Sequence, residues 1–499
     1  MAIHHTFWDR ARRLPAECTI TLGVGLFGLW LCSLQALAVE PGAEPSMVGP
    51  TAAEPSGGWP DASPLIGDPE LRAQLDPAAK LTVAGERMHE QLLRRFYTAH
   101  GYQPVWVNHP AEASRLWNAV LRAGDQGLDP SSFHSTVLTA RGTALSPIER
   151  DLLLSDSFLA YADALSRGAM PIEDRADDED LTPQPVDIVA VLDAAIASPD
   201  PAKVLEALAP SSFEYATMRR AYVEYRGVVE SGSLTHIAGA QNKPRLAERR
   251  VTAERRARQL AVNLERLRWL PRLIPPDRVV VNATIARLQL FHDNRPVFTT
   301  RVVVGESDKQ TPEFVSAIND VLFNPPWNIP RSIVQKEILP NLAADPDYLS
   351  HHHMRFRSGG SIQQEAGPYS ALGRLKFEMT DRYDVYLHDT PLKSLFQSAA
   401  RMMSHGCVRV ENPRILAQLL LEQSPEAIGK GIDLGRTNRR SLPAPVPIFI
   451  VYQTAYVESD GSIRFGSDPY ERDDEIWQHL TRSQQPPLAQ DATVSQRKG

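Results

Sequence analysis

The chain has 499 residues, enough for more than one domain, and its 42% hydrophobic content is that of ordinary globular proteins. Its formal net charge of -7 disfavours general binding to nucleic acids or to anionic membrane surfaces. Of its three cysteines, Cys18 and Cys32 lie in an N-terminal apolar segment, so Cys407 is the only thiol expected in the folded part. A single unpaired cysteine in an exported chain favours a chemical role over a structural one.

The first 38 residues have the pattern of an export signal. Three arginines precede an apolar run at residues 20–34, and an Ala-x-Ala cleavage site ends at Ala38. The run is short for a membrane-spanning helix, although an uncleaved anchor over residues 19–38 is the alternative. We therefore expect a protein of the periplasm or cell envelope. Residues 39–75 are rich in proline, glycine, alanine and serine, and are expected to form a disordered tether.

Helical spacing of apolar residues dominates residues 76–235. Ser146-Pro147-Ile148-Glu149 combines an N-cap, a proline at the first helical position and a capping-box glutamate. More helices are predicted at 187–197 and 212–228, after an acidic loop at 173–180. The helical spacing predicts an all-helical domain, and none of its helices holds a plausible catalytic cluster.

A basic helix is predicted within residues 236–276, where five arginines fall between residues 249 and 258. Leu260, Leu264 and Leu267 give the helix an apolar stripe. The arginines indicate either a solvated face on a connecting helix or contact with an acidic polymer. The interspersed glutamates favour the solvated face.

From residue 277 the apolar pattern changes to a period of two, which predicts strands. Residues 331–370 interrupt this pattern with a helix near 331–338 and a glycine-rich stretch. A further short helix is expected at 392–401, and Asn412-Pro413 is expected to cap and start another through Leu421. A disordered tail is expected from residue 476. The predicted strands are residues 279–282, 286–291, 298–304, 314–323, 383–388, 446–456 and 462–465, with a tight turn at Asp293-Asn294.

The run from Ser404 to Arg409, Ser-His-Gly-Cys-Val-Arg, carries the parts of a cysteine nucleophile. A free thiol is mostly protonated at neutral pH, so Cys407 needs a base or an electropositive pocket, and His388 at the end of a strand pattern is the candidate base. Gly406 lets the backbone pass close to a substrate, so that neighbouring amides could form an oxyanion hole. Arg409 would supply a cation for a substrate carboxylate or for the thiolate.

These residues resemble the active-site motif of L,D-transpeptidases with a YkuD-type catalytic domain, with His388 nineteen positions before Cys407. The similarity runs from about residue 80 to about residue 472. Residues 324–330 (NPPWNIP), 263–271 (NLERLRWLP) and 371–377 (ALGRLKF) are similar to segments of the larger, YcbB-like members.

The resemblance implies a multidomain α+β fold. An all-helical scaffold domain at 76–235 and a connecting helix at 236–276 would precede a mainly β, YkuD-like catalytic domain at 277–475, with a lid inserted at about 331–370. Members of the subfamily usually carry a small peptidoglycan-binding repeat beside the scaffold. Residues 225–245 have neither the glycine-rich pattern nor the room for it.

The resemblance also implies the reaction, namely peptidoglycan cross-linking in cell-wall biosynthesis and cell-shape maintenance. Cys407 would attack the third residue of a tetrapeptide donor stem, D-alanine would leave, and an amine of an acceptor stem would resolve the thioester. His388 would be the base, oriented by the backbone carbonyl of Asp389 or, alternatively, by its carboxylate. No cofactor or metal is implied, and carbapenems are the expected inhibitors. The oxyanion region would comprise Gly406, Cys407 and His405, and the substrate contacts would be Tyr386, Arg409, Ser404 and Trp327.

Three other interpretations compete with this one. A hydrolase of the same fold would resolve the thioester with water, as a carboxypeptidase or an endopeptidase. A zinc site built from His388, His405 and Cys407 would have poor geometry because of the His-x-Cys spacing. The three consecutive histidines His351-His352-His353 could not easily converge on one metal, and we expect them on the lid surface. A non-catalytic wall-binding protein would not need the intact motif around Cys407.

Overall fold

The computed structural model describes residues 67–76, 80–142, 144–231 and 246–482, with only the backbone at 246–251. The expected export signal, most of the expected tether and the chain after residue 482 lie outside these ranges. Within them, no helix is both long enough and apolar enough to cross a membrane.

Two edges of the expected disorder are wrong. Pro69–Gln74 form a helix, because the Asp68 carboxylate accepts hydrogen bonds from two amides of its first turn and Leu71 is buried. Asp473–Thr481 form a second helix, which is fixed by the burial of Ile476 and Leu480. In both places a few apolar contacts outweigh a polar composition.

The N-terminal domain is helical, as predicted. The capping box at Ser146 and Glu149 is present and begins the longest helix of this domain, Pro147–Arg167, most of whose residues are buried. Leu260, Leu264 and Leu267 of the connecting helix belong to the same hydrophobic core, together with Phe449 and Val451 of the C-terminal part. The scaffold and the strand Asn438–Val451 therefore share one core. The other helices of this region are Glu90–Ala99, Pro110–Leu121, Ser135–Arg141, Ile188–Ile196, Pro201–Glu206, Phe213–Ser231 and Leu246–Arg268.

Among the described residues, the catalytic sheet has ten strands, and it closes on itself because Glu313–Phe323 pairs both with Asn438–Val451 and with Leu375–Met379. The turn at Asp293-Asn294 is confirmed, with both residues at positive φ between paired strands. The remaining strands of this sheet are Glu179–Asp180, Arg278–Asn282, Arg287–His292, Arg295–Gly305, Leu387–His388, Met402–Ser404 and Val408–Val410.

The lid is built around three short strands, Trp327–Asn328, Met354–Phe356 and Ile362–Gln364. The helix expected near 331–338 is present, with a π-helical segment at Val334–Ile338. The lid has a small core of its own, in which Ile329, Ile338 and Ile362 are buried.

Two local expectations differ from the structure. Instead of a helix at 392–401 there is only a 3-10 turn, Lys393–Gln397, because the segment has too few buried apolar residues to hold a longer helix. The helix Pro413–Leu421 forms as predicted, but the Asn412 side chain does not cap it and instead donates to the Thr300 hydroxyl.

The acidic loop at 173–180 joins the two domains. Glu179–Asp180 pairs in parallel with the start of Glu313–Phe323, as an edge strand of the catalytic sheet. Arg472, 8% exposed, lies between the carboxylates of Asp178, Glu179 and Glu313. A buried ionic cluster thus fastens the scaffold to the catalytic sheet.

Candidate active site

Strand pairing brings the histidine and the cysteine together. Leu387–His388 pairs in parallel with Val408–Val410, with Leu387 opposite Val408 and His388 opposite Arg409. Cys407 directly precedes the second strand, so two positions nineteen residues apart become neighbours on adjacent strands. The alternation seen in the sequence at 385–388 is regular strand only at its last two residues.

The His388 imidazole is buried and neutral. Its side chain is 4% exposed, and burial together with the nearby Arg409 guanidinium lowers its pKa to about 3. Nδ1 lies 2.5 Å from the backbone carbonyl of Asp389. Because a neutral imidazole that donates from Nδ1 has a lone pair on Nε2, Nε2 is free to accept a proton.

The Asp389 carboxylate has a different task. It accepts hydrogen bonds from the amides of Arg374 at 2.9 Å and Thr390 at 2.8 Å, and Lys393 Nζ lies 2.5 Å from it. Gly373 lies so close that a Cβ there would be 2.5 Å from the Asp389 carboxyl carbon. Of the two groups considered for orienting His388, the structure therefore places the carbonyl, and not the carboxylate, at Nδ1.

Cys407 is the only cysteine among the described residues, and its side chain lines a cavity. Burial raises the pKa of the thiol, and this outweighs the hydrogen bond from Tyr386 and the attraction of the Lys376 ammonium. Lys376 Nζ lies 4.1 Å from the centre of the Tyr386 ring, and that ring lies 5.7 Å from the His388 ring. The resting site thus holds a neutral thiol and a neutral imidazole on adjacent strands.

Ser404 ties the turn between the two strands. Its hydroxyl donates to the Cys407 carbonyl at 2.6 Å and accepts from the Gly406 amide at 3.2 Å. Gly406 has a φ of 106°, which favours glycine. Of the two amides expected to form an oxyanion hole, that of Gly406 is thus engaged by Ser404, whereas no acceptor among the described residues binds that of Cys407.

The structure places His405 away from the role expected for it. His405 Nε2 lies 2.6 Å from the Glu337 carboxylate of the lid, rather than beside the backbone amides. Arg409 is half-buried opposite His388 and does not line the cavity, but its guanidinium is close enough to Cys407 for an electrostatic interaction with the sulfur. In the described part of the chain, potential metal ligands cluster in a group of three or more only at Asp277, His292 and Asp293, away from the zinc set considered above.

The cavity at Cys407 has a volume of about 630 Å³ and lies between the catalytic sheet and the lid. Of the four residues predicted to contact substrate, Trp327 and Tyr386 line the cavity, whereas Ser404 and Arg409 do not. The lid contributes Ile333, Lys336 and Glu337. Sequence reasoning missed its three lysines, Lys309, Lys336 and Lys376. Lys376 lies directly opposite His388 in the paired strands, a register that the sequence alone does not show.

Comparisons with known proteins agree with this architecture. Residues 91–221 match a family model described as a scaffold domain, and residues 276–428 match the L,D-transpeptidase catalytic domain, YkuD. A curated Haemophilus influenzae protein named "Putative L,D-transpeptidase" is 28% identical over 417 residues, covering 77% of this chain and 78% of that protein.

Two solved structures overlap the chain only in part. A Mycobacterium smegmatis L,D-transpeptidase is 14% identical and covers 35% of this chain and 58% of its own, with a TM-score of 0.20. A cysteine-to-serine mutant of an Enterococcus faecium L,D-transpeptidase is 12% identical and covers 36% and 52%, with a TM-score of 0.18. The assignment therefore rests on the family models and the Haemophilus relative.

The fold and its matches define a helical scaffold domain followed by a mainly β catalytic domain, which confirms the predicted fold class. The chain carries an L,D-transpeptidase catalytic domain of the YkuD family, as its motif indicated. Membership of the YcbB-like subfamily stays a prediction.

Proposed function

We propose that the protein forms peptidoglycan cross-links by acyl transfer through a thioester on Cys407. The observation that carries this proposal is the pairing of Leu387–His388 with Val408–Val410, which puts a buried neutral imidazole on the strand next to the thiol that lines the cavity. Nucleophile, base and the group that orients the base are the three parts such chemistry needs.

In the first step the sulfur attacks the carbonyl of the third residue of a tetrapeptide stem, and the thiol proton passes to His388 Nε2. Because the pKa of the imidazole is lowered and that of the thiol is raised, a resting thiolate–imidazolium pair is disfavoured. Proton transfer therefore accompanies attack on the substrate. The negative charge that develops on the carbonyl oxygen would be stabilised by the free amide of Cys407.

Collapse of the tetrahedral intermediate breaks the amide bond to D-alanine, whose nitrogen takes the proton from His388, and leaves the thioester. An acceptor amine then attacks the thioester carbonyl and gives its proton to His388. The new amide forms as the carbon–sulfur bond breaks, and the sulfur regains a proton. Each proton and each bond is thereby accounted for with His388 and Cys407 alone.

The cavity suits a peptide that carries carboxylates. Its mixed wall offers Trp327 and Tyr386 for apolar contact and the ammonium groups of three lysines for anionic groups. Covalent inhibition by carbapenems would follow if their ring carbonyl enters the same site. Export to the periplasm, with the N-terminus cleaved or retained as an anchor, completes the proposal.

Product analysis tests the proposed reaction. A protein comprising residues 39–499 and its Cys407→Ala variant would each be incubated with purified disaccharide-tetrapeptide, and the products weighed by mass spectrometry. Cross-linked dimers that need Cys407 support transpeptidation. Tripeptide without dimers would replace it with the hydrolase, and the absence of any Cys407-dependent product would refute it.

A further inference from the structure

The peptide unit between Gly406 and Cys407 is held from one side only. Its carbonyl, on Gly406, accepts a 2.8 Å hydrogen bond from the Thr311 hydroxyl. Its N–H, on Cys407, meets no acceptor among the described residues. A trans peptide unit is planar, with its carbonyl and N–H pointing in opposite directions, so whatever fixes the carbonyl also aims the N–H.

Thr311 is itself held rigidly. The residue is fully buried, and its hydroxyl oxygen accepts from the Gly305 amide at 2.9 Å while it donates to Gly406. The Tyr470 hydroxyl donates to the Gly305 carbonyl at 2.7 Å, so both polar groups of Gly305 are bonded. These hydrogen bonds fix the position of the Thr311 hydroxyl against the turn that carries Gly406 and Cys407.

The approach of the backbone at this point leaves little freedom. A Cβ on Gly305 would lie 2.1 Å from the Lys309 carbonyl, and one on Gly406 would lie 3.4 Å from the Gln310 carbonyl. The segment 305–311 therefore packs directly against the turn that carries Cys407. Thr311 lies on the buried side of this turn, and Cys407 lines the cavity.

We propose that Thr311 is a positioning residue that aims the Cys407 amide at the oxyanion of acyl transfer. Holding the Gly406 carbonyl towards the interior directs the Cys407 N–H away from Thr311, on the side where substrate enters. The inference rests on the proposed acyl transfer, but it concerns the step that makes an oxyanion and not the reactivity of the sulfur alone. Preorganised donors of this kind lower a barrier because they need no reorientation during reaction.

Two reactions of one thiol separate these effects. Acylation by a p-nitrophenyl ester forms a tetrahedral oxyanion, whereas alkylation by iodoacetamide displaces iodide and forms none. In Thr311→Val, which keeps the shape and loses the hydroxyl, the acylation rate is expected to fall about 10- to 100-fold. This is less than the roughly 100- to 1000-fold cost of removing an oxyanion donor, because the Cys407 amide remains and only its orientation is loosened. The alkylation rate is expected to stay within about twofold. Thr311→Ser, which keeps the hydroxyl, should restore acylation.

Thr284→Val is the matched control, because Thr284 is also a buried threonine with its hydroxyl bonded to a backbone carbonyl, that of Gln453 at 2.6 Å. It should change neither rate. Equal losses in both reactions of Thr311→Val would mean that the thiol itself has moved, and an unchanged acylation rate would mean that Thr311 aims nothing. Either result overturns the inference. Should Thr311→Val not fold, Tyr470→Phe tests the same anchor, with acylation again falling more than alkylation.

Both assays use small reagents and need no peptidoglycan. If wild-type protein is acylated by the ester but never by tetrapeptide, the proposed function fails while the inference about Thr311 remains decided by the ratio of the two rates.

Discussion

Removal of the Arg472 guanidinium should lower the free energy of unfolding, because it weakens the ionic cluster between the scaffold and the catalytic sheet. Arg472 lies 3.0 Å from a carboxylate oxygen of Glu313 and 3.8 Å from one of Glu179, and both of these side chains are almost fully buried. In Arg472→Met, two buried carboxylates lose a counter-charge, which typically costs about 3–5 kcal/mol of unfolding free energy. At about 2–4 °C per kcal/mol for large domains, the Tm should fall by about 6–20 °C.

The pH dependence of this loss has a definite sign. Burial and repulsion by Glu179 raise the pKa of Glu313 above its usual value, so its stabilising contribution is present at low pH and is lost as pH rises through the folded pKa. Without Arg472 that pKa rises further. The loss of stability in Arg472→Met should therefore be larger at pH 8 than at pH 5.

Urea unfolding at the two pH values, followed by tryptophan fluorescence, measures both effects. Arg167→Met is the control, since Arg167 is 47% exposed on its helix and pairs with Asp163 four residues earlier, a surface contact worth about 0.5 kcal/mol or less. If Arg472→Met costs no more than this control at pH 8, the buried cluster does not fasten the two domains and the reasoning is wrong.

Three further predictions concern single groups. Asp389→Asn should keep kcat within about threefold, because the backbone carbonyl of Asp389 orients His388. His388→Ala should lower kcat at least about 100-fold. Equal losses of kcat in steady-state assays of the two variants would favour the carboxylate as the orienting group. Since the pKa of His388 is lowered to about 3 and a base must be neutral, kcat/KM measured from pH 5 to 8 should show no acidic limb near 6.5. Asp156→Asn should cost about 3 kcal/mol at pH 7, because fully buried Asp156 pairs with buried His134. Ion pairing and hydrogen bonds lower the Asp156 pKa to about 2, so this difference in urea unfolding should shrink as pH falls from 5 towards 2, and a constant difference would contradict it.

The parts of the fold that the sequence predicted were those with strong local signals. The hairpin turn at Asp293-Asn294 and the capping box at Ser146 depend on residues within a few positions of each other, and both form as expected. The prediction of a short helix at 392–401 was wrong because too few of its apolar residues are buried. The helix Pro69–Gln74 was missed because the proline-rich composition around it favoured disorder, although Asp68 is a good N-cap.

The predictions for the active site also succeeded where the signal was local and failed where it depended on tertiary structure. The motif could be recognised in the sequence because Cys407 and its neighbours are contiguous in the chain, and His388 lies nineteen positions before Cys407. The link from Thr311 to Gly406 and the contact of His405 with the lid join positions 95 and 68 residues apart. No periodicity reports such pairs, because they depend on how the strands are ordered in the sheet.

The acidic loop at 173–180 shows the same limit most clearly. Its composition predicts a solvated loop, yet Glu179 is buried because two distant arginines, Arg266 and Arg472, supply the opposite charge. Burial of an acidic residue is acceptable only with such a partner. The partner comes from tertiary structure and could not be read from the segment itself.

Intact-protein mass spectrometry would detect the proposed thioester on Cys407 itself. Protein mixed rapidly with tetrapeptide donor and quenched in acid would be weighed, and the modified peptide located after digestion. We expect a mass increase equal to the donor stem without its terminal D-alanine, carried by Cys407, absent in Cys407→Ala and slow to form in His388→Ala. An adduct on any other residue, or turnover of the donor by Cys407→Ala, would contradict it.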